Sequence, residues 1–343
     1  MIKNICVIGV WKIFQLYHLK SITSQESIKI KYVVDKNFAL AKRIANDIGA
    51  IPLQNLDEKI DCENFFVTVP PEFRVQVFDS IKDYARNIIF EKPITLTFSE
   101  AEYIYTEAKK NNIDVIVAQT RRFFPNHEFL KKIISIKPQS KVTISAFEGA
   151  VFNWSSESDY FTNNNPLDHG VFHDIGSHIL DFIVNFIEYF YEFEKLSVRI
   201  TCSKFDSNQN SNNTFSQLVL FNNEIEFEIN MRLSRTSNLS NLIKIENDKY
   251  SSYLTRTLMA HEIKMINKDQ LTPVSVPGIN KSFDLDDVFH NMWSHIEDCI
   301  TNNSNAMENS KIGLKSILNT SLLMQKIIDH KEIDDNLQNT YYE

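Results

Sequence analysis

The segment ICVIGVWKIF, residues 5–14, joins a buried strand to the start of a helix and decides the fold of the first third of the chain. Four apolar residues, Ile5–Ile8, predict the strand, and Gly9 permits a sharp turn after it. A dinucleotide-binding turn has small residues at the next two spaced positions, where this chain has Trp11 and Phe14. We expect the Trp11 indole to fill the space of a pyrophosphate unless the loop takes another path. A plain βα turn packed by aromatic side chains is the alternative.

Strands and helices alternate through residues 1–120, which predicts a Rossmann-like, doubly wound parallel sheet in an N-terminal α/β domain. The predicted strands are 5–8, 28–34, 64–69, 87–90 and 113–118, and the predicted helices are 39–48, 74–84 and 99–111. Ser99 is the expected N-cap of the last of these helices. Only seven glycines occur in the chain, which is few for a dinucleotide-binding fold.

Residues 121–343 have a different pattern, which predicts an α+β substrate and oligomerisation domain with an open, mostly antiparallel sheet. Glu224–Leu233 alternates apolar and polar residues, as a half-buried antiparallel strand does. Further strands are expected at 142–152, 196–203, 215–221, 242–246 and 262–266, a polar loop at 207–213, and C-terminal helices near 286–302 and 310–330.

Composition and charge exclude several classes of protein. The 343 residues are 43% hydrophobic and 23% charged, which is ordinary for a globular protein of two domains. A net charge of -8 argues against nucleic-acid binding. Four widely separated cysteines form neither a disulfide framework nor a thiolate zinc site and suit the cytoplasm. No apolar run approaches the roughly 20 residues of a membrane span.

Two shorter features of the N-terminal domain bear on ligand binding. Asp35 ends the second strand, at the distance along the sequence from the glycine turn at which an acidic residue accepts hydrogen bonds from ribose hydroxyls. It would favour NAD over NADP. Aspartate is also a common turn residue. The motif Glu91-Lys92-Pro93 puts a lysine at the carboxyl end of a buried strand, the edge at which open α/β sheets bind ligands. Alone, this motif is also typical of a surface turn.

Residues 168–181 concentrate acids and imidazoles. They are Asp168, His169, His173, Asp174, His178 and Asp181. Asp174 and His178 are four residues apart, so a helix presents both on one face, where a carboxylate can orient an imidazole as a general base. His169 and His173 have a spacing that zinc ligands use, but no further ligand motif follows, so we expect acid–base chemistry and no metal. Capping acids beside a buried histidine are the alternative.

In their order along the chain, these motifs resemble the glucose–fructose oxidoreductase / inositol dehydrogenase (Gfo/Idh/MocA) family. Besides the glycine and the aspartate after the first two strands, they are V-P-P (69–71), E-K-P (91–93), Q-x-R-R-F-x-P (119–125), F-N-W-x-x-x-S-D-Y-F (152–161) and D-I-G-x-H-x-x-D (174–181). Members have an N-terminal Rossmann domain followed by an open, mostly antiparallel sheet. They usually oxidise or reduce a hydroxyl carbon of a sugar, inositol or sugar nucleotide with NAD(P).

The resemblance implies a role for each matching residue. Lys92 would contact the reacting hydroxyl, Asp174 would orient the substrate, His178 would transfer the proton, and all three would converge on one cleft between the domains. Cofactor contacts are implied for Gly9, Trp11, Lys12, Ile13, Asp35, Val69, Pro70 and Glu91. Substrate contacts are implied for Gln119, Arg122, Trp154 and Tyr160.

The chain departs from the family pattern mainly on the cofactor side. Trp11 and Phe14 replace small residues, Arg74 stands where a histidine is common, and Asp168-His169-Gly170 replaces a glycine-rich run. The leading hypothesis is an NAD(P)-dependent sugar, sugar-nucleotide or cyclitol oxidoreductase that forms a dimer or tetramer and prefers NAD. One alternative is a sugar-responsive binding or regulatory protein that has lost its cofactor. The other is a redox-neutral acid–base enzyme acting on a sugar.

Overall fold

The chain forms two compact units. The structure, a computed structural model, describes residues 2–56, 60–151, 168–207, 212–247, 252–257, 262–267, 270–276, 285–302, 305–334 and 336–337. The N-terminal unit comprises Met1–Thr120 and Leu285–Leu318, and the C-terminal unit comprises Arg121–Asp284 and Asn319–Glu343.

The N-terminal unit contains a six-stranded parallel sheet with the strand order β3-β2-β1-β4-β5-β6. Its strands are β1 (Lys3–Ile8), β2 (Ile28–Val34), β3 (Ile51–Leu53), β4 (Asn64–Val67), β5 (Asn87–Glu91) and β6 (Asp114–Ala118). Its helices begin with a π-helical turn (Phe14–His18) that continues into α1 (Leu19–Thr23), followed by α2 (Phe38–Ile48), α3 (Arg74–Ile81) and α4 (Phe98–Lys110). This is the doubly wound order, in which ligands bind where the order reverses, between β1 and β4. The predicted Rossmann-like sheet is confirmed.

The N-terminus of α4 differs from the prediction. The N-cap is Thr97 instead of Ser99, because Thr97 and Glu100 form a capping box. The Thr97 Oγ1 accepts the Glu100 N–H at 3.3 Å, and the Glu100 Oε2 accepts the Thr97 N–H at 3.1 Å. The helix therefore begins one residue earlier than the sequence pattern indicated.

Residues 285–318 group with the N-terminal unit, whereas the sequence pattern predicts that they belong to the second domain. They contain α7 (Leu285–Asn302) and α8 (Ala306–Asn309). On α7, the Trp293 ring packs edge-on against Phe66 of β4, with 5.0 Å between the centroids. After α8, Ile312 accepts the Val117 N–H of β6 at 2.8 Å. These contacts pair residues far apart in sequence, which a local pattern cannot reveal.

The C-terminal unit contains a nine-stranded sheet with the order β14-β13-β12-β11-β7-β10-β9-β8-β15. Its strands are β7 (Ser140–Gly149), β8 (Ser197–Phe205), β9 (Asn213–Phe221), β10 (Ile225–Ser234), β11 (Leu242–Asn247), β12 (Ser252–Arg256), β13 (Ile263–Asn267), β14 (Gln270–Val274) and β15 (Glu332–Ile333). Its helices are α5 (Pro125–Ile133), α6 (Ser177–Glu188) and, from Asn319 onward, α9 (Lys315–Asp329). Among the described strand pairs of this sheet, only β7–β10 and β8–β15 are parallel, so the predicted mostly antiparallel sheet is confirmed.

Strand β10 shows why this sheet has one buried face. Ile225, Phe227, Ile229, Met231 and Leu233 are buried in the core of the C-terminal unit, as the sequence alternation predicted. The strands β12, β14 and β15 were not predicted. The helix predicted at 310–330 begins only at Lys315. In the described part of the chain, no helix is both long enough and apolar enough to cross a bilayer.

Candidate functional site

Gly9 lies at the switch point of the parallel sheet, directly after β1. Its φ is +83°, a region that favours glycine. Its N–H donates to the Val34 carbonyl at 2.8 Å, and its carbonyl accepts the Thr68 hydroxyl at 2.5 Å. A Cβ at this position would lie only 3.0 Å from the nitrogen and Cγ1 of Val69. The structure therefore requires glycine here, and it brings Gly9 against the residues that follow β4, where Val69 and Pro70 were predicted to border a cofactor.

Asp35 is buried, and its carboxylate supports the turn after β1. Its Oδ2 accepts the Val10 N–H at 3.0 Å, and its Oδ1 accepts the Asn37 N–H at 2.8 Å. The side chain thus links the end of β2 to the Gly9–Val10 turn. A contact to a ribose hydroxyl remains a prediction.

Phe14 lies in the core of the N-terminal unit. It is fully buried, and its ring centroid is 6.4 Å from that of Phe66. The helix is π-helical from Phe14 to His18, and both of these side chains are buried. A π-helical turn is a feature often found at functional sites. Trp11, Lys12 and Ile13 are partly exposed at the start of the helix.

The Glu91-Lys92-Pro93 segment follows β5 at the carboxyl edge of the sheet. Glu91 pairs with Ala118 in register, so Lys92 and Gln119 come next on adjacent strands. Lys92 is partly exposed, and the Lys92–Pro93 peptide bond is cis.

Arg74 is buried and clamps the loops after β4 and β5. Its Nε donates to the Val69 carbonyl at 2.9 Å, and its Nη1 donates to the carbonyls of Glu91 and Pro93. The residue that departs from the family pattern therefore ties together two segments that were predicted to line a cofactor site.

The Glu91 carboxylate has internal partners. Its Oε1 lies 2.7 Å from the Nε2 of His18, and its Oε2 accepts the Lys92 N–H at 2.9 Å. Burial alone would raise the pKa of Glu91, but the His18 hydrogen bond and the nearby positive charges outweigh burial and lower it. The carboxylate thus supports the Lys92 peptide, and a contact of Glu91 with a cofactor remains a prediction. His18 was not predicted.

Gln119 follows β6 and is 1% exposed. Among the residues that the structure describes, its buried Oε1 has no hydrogen-bond donor. An unsatisfied buried acceptor costs about 1–3 kcal/mol, so such an atom calls for a water or a ligand donor.

The start of the acid- and histidine-rich segment is internally bonded. Asp168 Oδ1 accepts the Gly170 N–H at 3.0 Å, and the His173 Nδ1 accepts the His169 N–H at 2.9 Å. Burial, with the neighbouring His173, lowers the pKa of His169 to about 3, so this ring is neutral near pH 7. Among the residues that the structure describes, no three histidine, cysteine or carboxylate side chains are grouped to bind a metal.

Asp174 and His178 lie farther along this segment, in the C-terminal unit. Asp174 belongs to a π-helical turn (Phe172–Gly176) that leads into α6, and His178 is partly exposed one turn later. The Asp174 Oδ2 accepts the Arg235 Nη2–H at 3.0 Å. Arg235 directly follows β10 and was not predicted, because only the register of the sheet brings it to α6.

Arg122 has a structural partner. Its Nε and Nη2 donate to both oxygens of Asp181, at 2.8 and 2.6 Å, and the two side chains are 2% and 1% exposed. The guanidinium thus forms a buried ion pair within the C-terminal unit, and a contact of Arg122 with a substrate remains a prediction. The adjacent Arg121 is similarly paired with Glu148. Trp154 and Tyr160, the other two predicted substrate contacts, lie outside the described residues.

Comparison with known proteins gives one family match. Residues 3–119 match GFO_IDH_MocA, the oxidoreductase family with an NAD-binding Rossmann fold. Oxidoreductase P35 of Formosa agariphila is 26% identical over 167 residues, which are 47% of this chain and 50% of that protein. An uncharacterised oxidoreductase of Schizosaccharomyces pombe is 28% identical over 131 residues, which are 37% of this chain and 35% of that protein. The chain thus spans half or less of the curated relatives it matches.

Solved structures share the fold over nearly the whole chain. A dehydrogenase, MviM, from Clostridium difficile superposes with a TM-score of 0.72 at 19% identity, covering 95% of this chain and 99% of that one. KijD10, a 3-ketoreductase from Actinomadura kijaniata in complex with NADP and TDP-benzene, has a TM-score of 0.79 at 11% identity, covering 97% and 99%. At these identities the likeness shows the fold alone.

Proposed function

Residues 3–119 belong to the Gfo/Idh/MocA family of NAD-binding oxidoreductases, and from this premise we propose that the chain moves hydride between a nicotinamide dinucleotide and a sugar carbon. The reacting carbon is a hydroxyl or keto carbon of a sugar, sugar nucleotide or cyclitol. One observation carries the proposal. Gly9 holds a positive-φ turn at the switch point of the sheet, and Lys92 follows β5 at the same carboxyl edge.

The N–H groups around Trp11, Lys12 and Ile13, at the N-terminus of the helix after Gly9, would hold the pyrophosphate of a dinucleotide. Val69 and Pro70 would border the cofactor. Asp35 favours NAD, although KijD10 binds NADP. A nicotinamide cofactor bound there would supply the hydride acceptor or donor for the reaction.

Three side chains transfer the proton, stabilise the charge on the substrate oxygen and orient the substrate. During oxidation, His178 takes the hydroxyl proton, while the carbon loses hydride and the C–O bond becomes C=O. Lys92 stabilises the negative charge that develops on this oxygen. Asp174, itself held by Arg235, orients the substrate hydroxyls.

Gln119 adds an acceptor on the same edge as Lys92. Its unsatisfied Oε1 accepts a hydrogen bond from a ligand hydroxyl or carboxamide, which removes the cost of leaving this oxygen buried without a partner. A TDP-linked ligand in KijD10 supports a sugar nucleotide as the substrate class.

The test is NAD(P)H absorbance with a panel of sugars, cyclitols and sugar nucleotides. Lys92→Ala and His178→Ala should each lower kcat by about 10²–10⁴, the usual contribution of a positioned acid or base. Lys29→Ala changes an exposed lysine on β2 and serves as the control, with kcat unchanged. Full turnover in both site variants would contradict the assigned roles.

Trp11 supports a second candidate function. If its indole occupies the pyrophosphate position, the chain is a sugar-responsive binding protein without redox turnover. Sugar binding by calorimetry together with no dinucleotide binding would favour this candidate.

A further inference from the structure

A buried series of hydrogen bonds ends at the backbone N–H of Lys92 and lies wholly within the N-terminal unit. The Trp293 Nε1 of α7 lies 3.0 Å from the His18 Nδ1, and the His18 Nε2 lies 2.7 Å from the Glu91 Oε1. The other carboxylate oxygen of Glu91 accepts the Lys92 N–H at 2.9 Å. None of these three side chains has a role in the hydride transfer described above.

The donor and acceptor groups of the partners fix the direction of every hydrogen bond in this series. An indole N–H can only donate, so the His18 Nδ1 must accept. The imidazole proton therefore sits on Nε2, which donates to Glu91. Aromatic rings enclose the histidine, with centroid distances of 4.8 Å to Phe66 and 4.9 Å to Phe289.

The peptide groups around Lys92 are held on two sides. The Glu91 carboxylate binds the Lys92 N–H, while the Arg74 guanidinium binds the carbonyls of Glu91 and Pro93. Apolar residues of similar volume would often stabilise a core as well as or better than a buried ionised network. This network ends on the backbone of one partly exposed lysine. Its position is consistent with a role in orienting that lysine.

We propose that His18 and Trp293 are positioning residues for Lys92, acting through Glu91. Trp293 fixes the tautomer of His18, His18 fixes the Glu91 carboxylate, and the carboxylate fixes the Lys92 peptide. This inference rests on the proposed function for its kinetic consequence, but its structural consequence can be measured without turnover.

The variant pair His18→Gln and His18→Leu separates hydrogen bonding from packing. A glutamine amide can replace the Nε2–H donor to Glu91, and leucine cannot. His18→Leu should lower kcat by about tenfold or more with KM for the dinucleotide changed less than about threefold, since small misplacement of a reacting group costs rate. His18→Gln should stay within about threefold of wild type in both constants.

Two further variants test the specificity of the effect. Trp293→Phe keeps an aromatic ring and removes the N–H, and it should lower kcat as His18→Leu does, though less. Phe289→Leu removes a ring contact to His18 without touching the hydrogen bonds, so it should lower the melting temperature and leave kcat unchanged.

Hydrogen exchange of the Lys92 amide gives a result even if the chain lacks dehydrogenase activity. Exchange should be slow in wild type and His18→Gln, and about tenfold or more faster in His18→Leu. Nitrogen-15 spectra of the histidines should show the His18 proton on Nε2. Equal Lys92 exchange in both His18 variants, or a proton on Nδ1, overturns the positioning role. Absent turnover with the expected exchange pattern overturns only the proposed function.

Discussion

The two positive-φ glycines of the N-terminal unit allow the Gly9 turn to be tested at the scale of one residue. Gly9 and Gly49 have φ of +83° and +69°, so alanine at either position pays about 1–2 kcal/mol of backbone strain. Only at Gly9 would the new Cβ meet other atoms, 3.0 Å from Val69, whereas nothing lies within 4 Å at Gly49. We predict a larger loss of unfolding free energy for Gly9→Ala than for Gly49→Ala, measured by urea titration. Equal losses would contradict the close approach of the two loops.

The effect of Trp11 on dinucleotide binding can be tested by changing Trp11 alone, without changing Phe14. Changing Phe14 to alanine would cost about 3–5 kcal/mol because this side chain is fully buried, so it would obscure any effect on binding. Trp11 is partly exposed and can be changed alone. We predict that Trp11→Gly tightens binding of NAD or NADP in a calorimetric titration, because the indole competes for the pyrophosphate position. Unchanged or weaker binding would show that the loop already admits the dinucleotide beside the indole.

Single residues show where sequence reasoning ends. Gly9 and Lys92 could be placed because a strand pattern precedes each one. His18 could not, because its partners are Glu91 and Trp293, 73 and 275 residues away. The same holds for Arg235 beside Asp174.

At the scale of elements, the Arg122–Asp181 pair joins the turn before α5 to α6. Removing one partner leaves a buried charge, so Arg122→Met should cost about 3–5 kcal/mol of stability in urea titration. Adding Asp181→Leu should recover much of that loss. Lys195→Met breaks an exposed pair with Glu192 and should leave the unfolding midpoint unchanged. If Arg122→Met kept full stability and only raised KM for the substrate, the substrate role expected from the sequence would stand.

Whether a segment forms a helix or a strand was predictable where apolar residues recur at a regular spacing, as in β10 and α2. Assignment of elements to units was not, since α7 reaches the N-terminal unit through Trp293 and Phe66. Likewise, the parallel pairing of β7 with β10 follows from the register of the whole sheet and leaves no local pattern.

At the scale of the whole molecule, buried histidines should make the protein sensitive to acid. Burial, with the nearby Arg121 charge, lowers the pKa of His127 from its ordinary value of 6.5 to about 3. Between these values the unfolded chain binds more protons than the folded one, so stability is complete above pH 6.5 and is lost as the pH falls toward 3. We predict that His127→Gln loses less stability than wild type between pH 7 and about 4.5, by on the order of 2 kcal/mol in urea titrations. Parallel losses in both proteins would contradict this assignment.

Assembly remains a prediction at the same scale. The polar face of the C-terminal sheet carries Lys141, which lies 2.7 Å from Glu228 and 3.3 Å from Glu226. We propose that this face forms the contact of a dimer or tetramer. Light scattering at micromolar concentration should give at least twice the 39.9 kDa of one chain, with Glu228→Arg shifting the mass toward the monomer. A wild-type monomer would contradict the proposed assembly.

Titration of NAD and NADP into the wild-type protein tests the central claim most directly. A dinucleotide site at the Gly9 turn predicts binding of one of the two at one molecule per chain. It also predicts about 2.7 kcal/mol of added stability when the ligand is at 100 times its dissociation constant. If NAD and NADP, in both redox states, gave no heat of binding and no stabilisation, that result would contradict the oxidoreductase proposal.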